Sequence, residues 1–394
     1  MRLYHAAVSE FASDVPASHI KPRDPLPEGA TTLPARFYTS ERLFERELDL
    51  FFRSNWVCAG RAEEMPRRGD YVLREIAGES VILTRSGDAD DSIRAFHNVC
   101  RHRGTRLCVE SHGHFAGAIQ CPYHSWTYDL QGRLAGAPHM DGTPGFDKTS
   151  FPLHAITTDV WAGFVFVNLS TAADPLADHL AALPDKFAPW RMDRLRRGGR
   201  EVYEIAANWK LIISNFNECL HCPNLHPALN KLSHYMSGEN EPLRPTYMGG
   251  RMDLRPGIVT MSMDGSCPRD LLPGLSAVEQ RCVYYYAIFP NLFLSLHPDY
   301  VMVHRTEPLA PHRTRLTCEW LFAPEELAKP GFDAKDVLEF WDLTNRQDWH
   351  VCELSQQGIS SSAYVPGPYS SREDLLYAFD RFITVVLGED PHQA

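Results

Sequence analysis

The sequence lacks long apolar runs and any excess of positive charge. No window approaches about 18 uninterrupted apolar residues, so we expect no membrane-spanning helix. Residues 1–30 have neither the apolar segment nor the small-residue cleavage site of a secretory signal, so we expect a cytoplasmic protein. Because 50 acidic residues outnumber 39 Lys and Arg, the net charge is −11, which disfavours nucleic acid as a partner.

The ten cysteines do not indicate a disulfide framework. A reducing cytoplasm keeps such thiols unpaired, and several of them, such as Cys282, lie in apolar runs that predict core strands. Only two pairs, Cys100 with Cys121 and Cys219 with Cys222, have neighbours typical of metal ligands.

The pattern of apolar residues divides the 394-residue chain into an arm and two domains. Prolines interrupt residues 1–45, which we interpret as an N-terminal arm, and apolar spacing predicts a helix at 41–56. Short strands separated by Gly, Pro and Asp predict a small all-β domain at 46–170. Residues 171–394 mix strands with amphipathic helices, which predicts an antiparallel sheet flanked by helices. The predicted fold class is therefore α+β.

Within the C-terminal part, 173–200 is predicted to be a linker of helical character. The five arginines between Arg191 and Arg200 are interpreted as a solvated surface or a subunit contact. Further elements follow from apolar spacing. They are helices at 208–219, 333–353 and 371–387, and strands at 282–289, 292–296, 300–307 and 313–322.

Two cysteine–histidine pairs lie close together in the N-terminal domain. Cys100-Arg-His102 and Cys121-Pro-Tyr-His124 are separated by eighteen residues, and each pair lies on a short loop. Two Cys and two His can hold a [2Fe–2S] cluster in which thiolates bind one iron and imidazoles the other. The Ser125 hydroxyl and nearby backbone N–H groups are expected to donate hydrogen bonds to cluster sulfurs.

A structural zinc site is the alternative, because it also uses two Cys and two His. Zinc fingers pair Cys with Cys and His with His, whereas each loop here carries one of each. The cluster is therefore the favoured interpretation. Cys108, His112 and His114 lie between the loops and are interpreted as bystanders.

A second constellation, Glu218-Cys-Leu-His221-Cys-Pro-Asn-Leu-His226, lies in the C-terminal domain. On a helix, Glu218 and His221 face one side. Pro223 is predicted to end that helix, so that the chain folds back and brings His226 to the same metal. Two His and one carboxylate on one face, with open positions opposite, form the facial triad of Fe(II) oxygenases.

Two other interpretations of this segment remain open. Cys219 and Cys222 could bind zinc together with the histidines, although His221 and Cys222 are adjacent and do not easily chelate one tetrahedral ion. The histidines could also be unliganded surface residues, which is disfavoured because the chain carries a matching cluster motif.

Both constellations resemble one known family. The loops at 100–102 and 121–126 resemble the Rieske signature of ring-hydroxylating oxygenase large subunits, although Rieske electron-transfer proteins share it. The segment 218–226 resembles the catalytic-domain motif D/E-x-x-H-x-x-x-x-H of the same family. The resemblance covers about 45–394 and implies a Rieske domain with a [2Fe–2S] cluster, and a helix-grip domain with one Fe(II).

The resemblance changes the role of the carboxylate in the second motif. In the family, the acid before the first histidine does not bind iron but links the iron-site histidine to a cluster histidine of a neighbouring subunit. Carried over, Glu218 connects His221 with His124 of another protomer. Most of the family has Asp at this position, so Glu is a departure.

The third iron ligand then comes from later in the chain. Gln347-Asp348-Trp-His resembles the family's C-terminal acid-bearing helix, which implies Asp348 as the ligand, with Asp342 and Glu353 as alternatives. Asn215, one turn before Glu218, is assigned with it to the catalytic residues.

The resemblance implies the terminal oxygenase component of a multi-protein system. A separate flavin and iron–sulfur reductase supplies electrons from NAD(P)H, and reduced iron activates O₂ beside a small organic substrate. A head-to-tail homotrimer is implied, because the path between the two domains of one chain is too long in this family. An electron-transfer protein without oxygenase activity is the alternative from another class, but over two hundred further residues carry the second motif.

Two reaction types compete for the substrate. Aromatic ring dihydroxylation to cis-dihydrodiols is common in the family, and oxidative removal of methyl groups is the other major activity. Glu218 and the stretches 294–304 and 364–369 resemble the branch that acts on quaternary ammonium compounds such as glycine betaine, choline and carnitine. Aromatic side chains could enclose a trimethylammonium group by cation–π contact. The candidates, each also explained as a strand-core residue, are Tyr203, Tyr284, Tyr285, Tyr286, Phe289 and Trp320.

Overall fold

The computed structural model describes residues 25–87 and 92–391, which form two compact units. The inserted unit comprises 52–178, and the discontinuous unit joins 25–51 to 179–391. The units therefore divide the chain at 51/52 and 178/179, whereas the sequence placed the boundaries at 45/46 and 170/171. The difference arises because the helical segment after Ser40 belongs with the C-terminal part of the chain. Residues 1–24 of the expected arm lie outside the described residues.

The inserted unit is all-β, as predicted. A seven-stranded sheet has the order β1-β10-β9-β4-β3-β2-β5, and a three-stranded sheet has the order β6-β7-β8. Its core contains Phe96, Trp126 and Tyr128, all nearly inaccessible. The strands are β1 (Val57–Arg61), β2 (Asp70–Ile76), β3 (Glu79–Arg85), β4 (Ile93–His97), β5 (His112–His114), β6 (Ala118–Gln120), β7 (Thr127–Asp129), β8 (Leu134–Gly136), β9 (Ala155–Trp161) and β10 (Phe164–Asn168).

The discontinuous unit is built on a second seven-stranded antiparallel sheet with the order β11-β17-β16-β15-β14-β13-β12. Each neighbouring pair is antiparallel. Its buried row of aromatic side chains includes Tyr286, Tyr300 and Trp320. The strands are β11 (Arg196–Ile205), β12 (Glu239–Asn240), β13 (Tyr247–Asp253), β14 (Cys282–Ile288), β15 (Leu292–Leu296), β16 (Val301–Ala310) and β17 (Arg313–Phe322).

Helices flank this sheet and confirm the α+β prediction. The α-helices are α1 (Arg36–Thr39), α2 (Glu41–Glu47), α3 (Leu176–Leu180), α4 (Leu183–Phe187), α5 (Trp209–Phe216), α6 (Cys222–Leu225), α7 (Pro227–Leu232), α8 (Pro324–Leu327), α9 (Lys335–Ile359) and α10 (Asp374–Leu387). A π-helix at Leu48–Arg53 continues α2. Among the described helices, none combines the length and apolar character that crossing a bilayer requires.

A buried ion pair ties the N-terminal segment into the discontinuous unit. The Nζ of Lys210 donates to Oε1 of Glu47 at 2.6 Å, and Trp209 Nε1 donates to Oε2 at 2.7 Å. Neither charged side chain is more than 1% exposed. Removing one partner of such a pair costs about 3–5 kcal/mol, because the other charge stays buried. This contact fixes the start of α5, the helix that leads into the second motif.

Three strands of this sheet, β11, β12 and β13, were not predicted. The arginine-rich segment expected as a linker surface is partly β11, which lies at the edge of the sheet and pairs with β17. Arg197 donates to Glu319 of β17 at 2.8 Å, so its guanidinium forms an ion pair between the two neighbouring strands. Edge strands tolerate many charged residues, so a prediction based on the spacing of apolar residues does not detect them. β13 was missed because Gly249 and Gly250 interrupt its pattern.

The helix carrying the second motif is shorter than predicted. Asn208 accepts a hydrogen bond from Lys210 N at 3.1 Å and begins α5, which ends at Phe216. Glu218 and His221 follow in a turn and do not lie on that helix. Pro223 does not end a helix but lies in the first turn of α6, where its missing N–H costs nothing.

Two candidate metal centres

The first centre is formed by two loops of the inserted unit. The loop before β5 carries Cys100 and His102, and Gly104 N donates to Cys100 O at 3.0 Å. The loop between β6 and β7 carries Cys121 and His124 and has the same turn. Positive φ values at Gly104 and Ser125, +75° and +57°, allow both chains to reverse tightly.

The four side chains of these loops converge. The rings of His102 and His124 have centroids 4.8 Å apart, and His102 stacks on Trp126 at 4.8 Å. Burial raises the pKa of the Cys100 thiol, and the adjacent Cys121 adds to that increase. His102 Nδ1 is buried without a hydrogen-bond partner. An unpartnered buried nitrogen beside two buried thiols fits a centre with mixed Cys and His ligands.

Among the described residues, Tyr128 forms a side-chain hydrogen bond with Cys100 of this centre. Its hydroxyl lies 3.4 Å from Cys100 Sγ and accepts a hydrogen bond from Arg101 N at 3.0 Å. The sequence predicted a serine donor, Ser125, but gave no reason to select a tyrosine from the next strand.

The second centre brings together His221, His226 and Asp348. One ligand atom from each of these residues lies within 4.8 Å of the others. Asp348 Oδ1 is 2.7 Å from His226 Nε2 and 3.3 Å from His221 Nε2. The histidines lie at the start of α6 and just before α7, while Asp348 lies in the middle of the long helix α9.

Each histidine is held through its other nitrogen. Glu218 Oε1 lies 2.5 Å from His221 Nδ1, and Gln347 Oε1 lies 2.8 Å from His226 Nδ1. Both oxygens accept from Nδ1–H, which directs each Nε2 toward Asp348, where a bound metal would replace the Nε2 proton. Glu218 is therefore outside the group of three ligand atoms. Gln347 was not predicted to have a role, because glutamine is rarely a metal ligand.

The electrostatics of this centre favour a cation. Burial lowers the pKa of His221, but hydrogen bonds and charges from Asp348 and Glu218 outweigh it and raise the pKa to about 10. The two carboxylates therefore create a strongly negative environment, and a divalent ion bound by both Nε2 atoms would satisfy it. Two histidines and a carboxylate match the facial arrangement that Fe(II) uses.

The alternative carboxylates have other partners. Asp342 accepts hydrogen bonds from the Tyr203 hydroxyl at 2.7 Å and from Arg346 Nε at 2.8 Å. Glu353 accepts from Ala206 N at 2.9 Å. Among the three acids considered for the third position, only Asp348 lies beside both histidines.

Cys219 and Cys222 are joined by a disulfide within the turn that carries His221. The sequence led us to expect no disulfide. The bond uses both sulfurs, so the zinc interpretation of this motif has no thiolates to draw on.

A cavity in the discontinuous unit opens onto the second centre. Its wall includes all three members of the group, together with Asn215 from the last turn of α5 and Glu218. Much of the remaining wall is aromatic or thioether. These residues are Phe216, Tyr235, Met236, Met252, Tyr285, Met302, Trp341 and Trp349.

The cavity draws on different aromatic residues from those expected. Of the six candidates, Tyr285 alone lies in the described cavity wall. Tyr284 instead packs against Trp190, with ring centroids 5.2 Å apart. The stretch 364–369 also lies outside the described cavity wall. The Tyr364 hydroxyl donates to Leu33 O at 2.9 Å, so this tyrosine contacts the N-terminal segment instead.

Comparison with known proteins identifies both parts of the chain. Residues 55–147 match the family described as Rieske [2Fe-2S] domain. Residues 192–389 match the family described as ring hydroxylating alpha subunit (catalytic domain). In the combined family, the first domain carries the cluster and the second carries mononuclear iron.

Characterised relatives cover most of the chain. The glycine betaine monooxygenase oxygenase subunit of Chromohalobacter salexigens is 33% identical over 387 residues, which cover 91% of this chain and 85% of the relative. The carnitine monooxygenase oxygenase subunit of Escherichia coli K12 is 38% identical over 346 residues, covering 86% and 87%.

Solved structures share the fold. The quaternary ammonium Rieske monooxygenase CntA in complex with L-carnitine superposes with a TM-score of 0.75 at 26% identity, covering 94% of this chain and all of that one. Naphthalene 1,2-dioxygenase from a Rhodococcus species has a TM-score of 0.71 at 20% identity, which supports the fold alone. The chain belongs to the Rieske non-haem iron oxygenases, as an oxygenase alpha subunit, in a family that uses NAD(P)H through a reductase.

Proposed function

We propose that this protein is a monooxygenase that oxidises a methyl group of a small quaternary ammonium compound, with iron held by His221, His226 and Asp348. The observation that carries the proposal is the convergence of these three groups on a cavity walled by aromatic and methionine side chains. Such a wall suits a trimethylammonium group, because ring faces attract cations without requiring hydrogen bonds. The glycine betaine and carnitine oxygenase subunits among the relatives support this substrate class.

The side chains of the site have separate tasks. Glu218 and Gln347 keep the proton of each histidine on Nδ1, so both Nε2 atoms stay available to the metal. Bound Fe(II) would supply the activation of O₂ with electrons from the cluster. The cavity wall holds the substrate and excludes water, and we assign Asn215 to contact with the bound substrate.

We further propose that Glu218 carries electrons between subunits. Cys100, His102, Cys121 and His124 would hold the cluster, and Glu218 would connect His221 with His124 of the partner subunit. Oε1 of Glu218 lies beside His221 Nδ1 and Oε2 accepts from Leu220 N, while 19% of the side chain remains exposed for contact with a neighbouring chain. A head-to-tail homotrimer places one cluster beside each iron. Because NAD(P)H is a cytoplasmic reductant, we place the protein in the cytoplasm.

A substrate panel with a surrogate reductase tests the proposed reaction. Glycine betaine, choline and L-carnitine are compared with naphthalene, and NADH consumption, O₂ uptake and formaldehyde are measured together. We expect formaldehyde in proportion to O₂ for at least one quaternary ammonium compound. Formation of a cis-dihydrodiol from naphthalene, with no formaldehyde from any of the other three, would replace the proposal with ring dihydroxylation.

A further inference from the structure

The inner wall of the cavity contains buried polar atoms that lack hydrogen-bond partners. They belong to four cavity-lining residues: Asn217 Oδ1, Tyr285 Oη, His304 Nδ1 and Trp349 Nε1. Buried polar groups in native proteins are almost always paired, so several unpaired groups around one cavity point to a ligand that pairs with them. Trp349 Nε1 can only donate, Asn217 Oδ1 can only accept, and the Tyr285 hydroxyl can do both.

The acceptor on His304 is defined by its neighbour on α9. His304 Nε2 lies 3.2 Å from Asn345 Oδ1, and the Asn345 amide nitrogen is directed to Cys318 Sγ at 3.7 Å. Since the amide oxygen faces the ring, Nε2 carries the proton and Nδ1 is a bare acceptor. Burial lowers the pKa of His304 to about 4, so the ring is neutral near pH 7.

The ring of His304 is held in place. Its residue is 1% exposed, in β16, opposite Phe293 and Cys318 in the sheet register. Phe216 and Trp349 meet the ring edge-on, with centroids at 5.9 and 6.0 Å. Nδ1 therefore cannot turn to find another partner without disturbing this packing.

The chemistry of the proposed substrate class decides what can pair with this acceptor. A quaternary ammonium group has no N–H, and a carboxylate only accepts hydrogen bonds. Asn217 presents a second acceptor, because its amide nitrogen donates to Ile213 O at 2.8 Å. Within this class, a hydroxyl group is the simplest donor that can satisfy such a wall, and it can also accept from the Tyr285 hydroxyl.

We propose that His304 accepts a hydrogen bond from a hydroxyl group of the substrate, so that the site selects hydroxylated quaternary ammonium compounds over those without a hydroxyl. This inference rests on the proposed function and specifies its substrate. Leaving a buried acceptor unpaired costs a factor of about ten or more in an equilibrium, which sets the expected preference.

Two matched pairs of compounds test the inference on the unaltered, iron-loaded protein. Choline is compared with ethyltrimethylammonium, and L-carnitine with γ-butyrobetaine, so that each pair differs in one hydroxyl. Dissociation constants are measured by anaerobic calorimetry, and kcat/KM by formaldehyde release. We expect the hydroxylated member of the pair that is turned over to be favoured about tenfold or more in both measurements.

The outcomes separate the two proposals. Demethylation of both members of a pair with equal efficiency would overturn the hydroxyl preference and leave the proposed function standing; His304 would then bind water only. Demethylation of glycine betaine but of none of these four compounds would likewise overturn the hydroxyl preference alone. Absence of demethylation from all four compounds and from glycine betaine would remove the proposed function, and the inference with it.

Matched variants assign the preference to His304. His304→Phe keeps a ring between Phe216 and Phe293 but removes the acceptor, and we expect the preference ratio to fall to about one. His312→Phe, at an exposed position in the same hairpin, is the control and should keep the ratio. A ratio unchanged in His304→Phe contradicts the assignment. The cluster absorption spectrum reports whether each variant folds. If His304→Phe does not fold, Asn345→Leu replaces it. Without the Asn345 oxygen the proton of His304 is no longer held on Nε2, so this variant should also lower the preference ratio.

Discussion

Gln347 and His226 form a hydrogen bond that orients one candidate ligand of the second centre. Gln347 Oε1 lies 2.8 Å from Nδ1 of His226, and the neighbouring residue in the chain, Asp348, meets the other nitrogen of the same ring at 2.7 Å. One helix, α9, thus supplies both a candidate ligand and the group that orients a second candidate ligand.

Substitution of Gln347 should weaken metal binding. Gln347→Leu removes the acceptor that holds the proton on Nδ1, so the protein should lose about 10- to 100-fold in Fe(II) affinity. Iron titration of the metal-free second centre checks this. Gln357→Leu, at an exposed position on the same helix, is the control and should bind iron normally. Equal affinities in the two variants would show that Gln347 does not orient His226.

Glu218→Gln should separate metal binding from electron transfer. The amide oxygen can still accept from His221 Nδ1, so iron content and the cluster spectrum should be retained. Loss of the charge at the subunit boundary should slow turnover by about 100-fold, as removal of a group that tunes a ligand does. Steady-state O₂ uptake and rapid-mixing reoxidation of the cluster measure this effect.

The control for this variant is Glu325→Gln, whose side chain is 69% exposed. The same series includes mass measurement in solution, where we expect a trimer. A monomer with full turnover would contradict the role of Glu218 as a link between subunits.

Tyr128→Phe should lower the reduction potential of the cluster. The Tyr128 hydroxyl, 3.4 Å from Cys100 Sγ, stabilises the reduced, more negative form by a hydrogen bond. A hydrogen bond of ordinary strength corresponds to on the order of 50 mV for a one-electron couple. Redox titration followed by absorbance measures the shift, with Tyr123→Phe at an exposed position as the control. Equal potentials in Tyr128→Phe and the unaltered protein would exclude this contribution.

The free energy of unfolding should depend on Asp380. Burial raises the pKa of this carboxyl from 3.8 to about 7, although the Tyr369 hydroxyl and the Lys210 cation oppose the shift. The folded state therefore holds the proton more tightly than the unfolded chain does. Stability from this group is fully present below about pH 4 and is lost as pH rises to about 7, by up to about 4 kcal/mol.

Asp380→Asn removes this titration while keeping an acceptor for Tyr369. We expect the variant to show a flatter dependence of unfolding free energy on pH between 4 and 7 than the unaltered protein. Denaturant titrations at several pH values measure it. Parallel pH profiles for the two proteins would mean that Asp380 does not titrate in this range.

The candidate cluster ligands could be proposed from the sequence because the two members of each pair are close in the chain. Each Cys–His pair lies within one loop, so spacing alone specifies which side chains can share a centre. The mononuclear site was harder, because Asp348 lies 122 residues after His226 and no periodic pattern connects them. Family resemblance suggested Asp348, and the structure places it beside both histidines.

The features that were missed depend on packing between distant segments. Nothing in the local sequence distinguishes Gln347 from a surface glutamine, and β11 has the charge pattern of a solvated edge. Tyr285 was one of several equivalent tyrosines in β14 until the register showed which face of the sheet each side chain occupies. The turn of Glu218 and His221 was predicted as helix because i and i+3 spacing also occurs in successive turns.

The discontinuous unit has a consequence for synthesis on the ribosome. Glu47 cannot form its ion pair until Lys210 has been synthesised. Leu33 in the N-terminal segment likewise cannot accept its hydrogen bond until Tyr364 has been synthesised. At roughly 5–20 residues per second, that interval is tens of seconds. The inserted unit, completed much earlier, can fold while its neighbours in sequence are still unpaired. We therefore expect residues 25–51 to be the part of the nascent protein that chaperones bind longest.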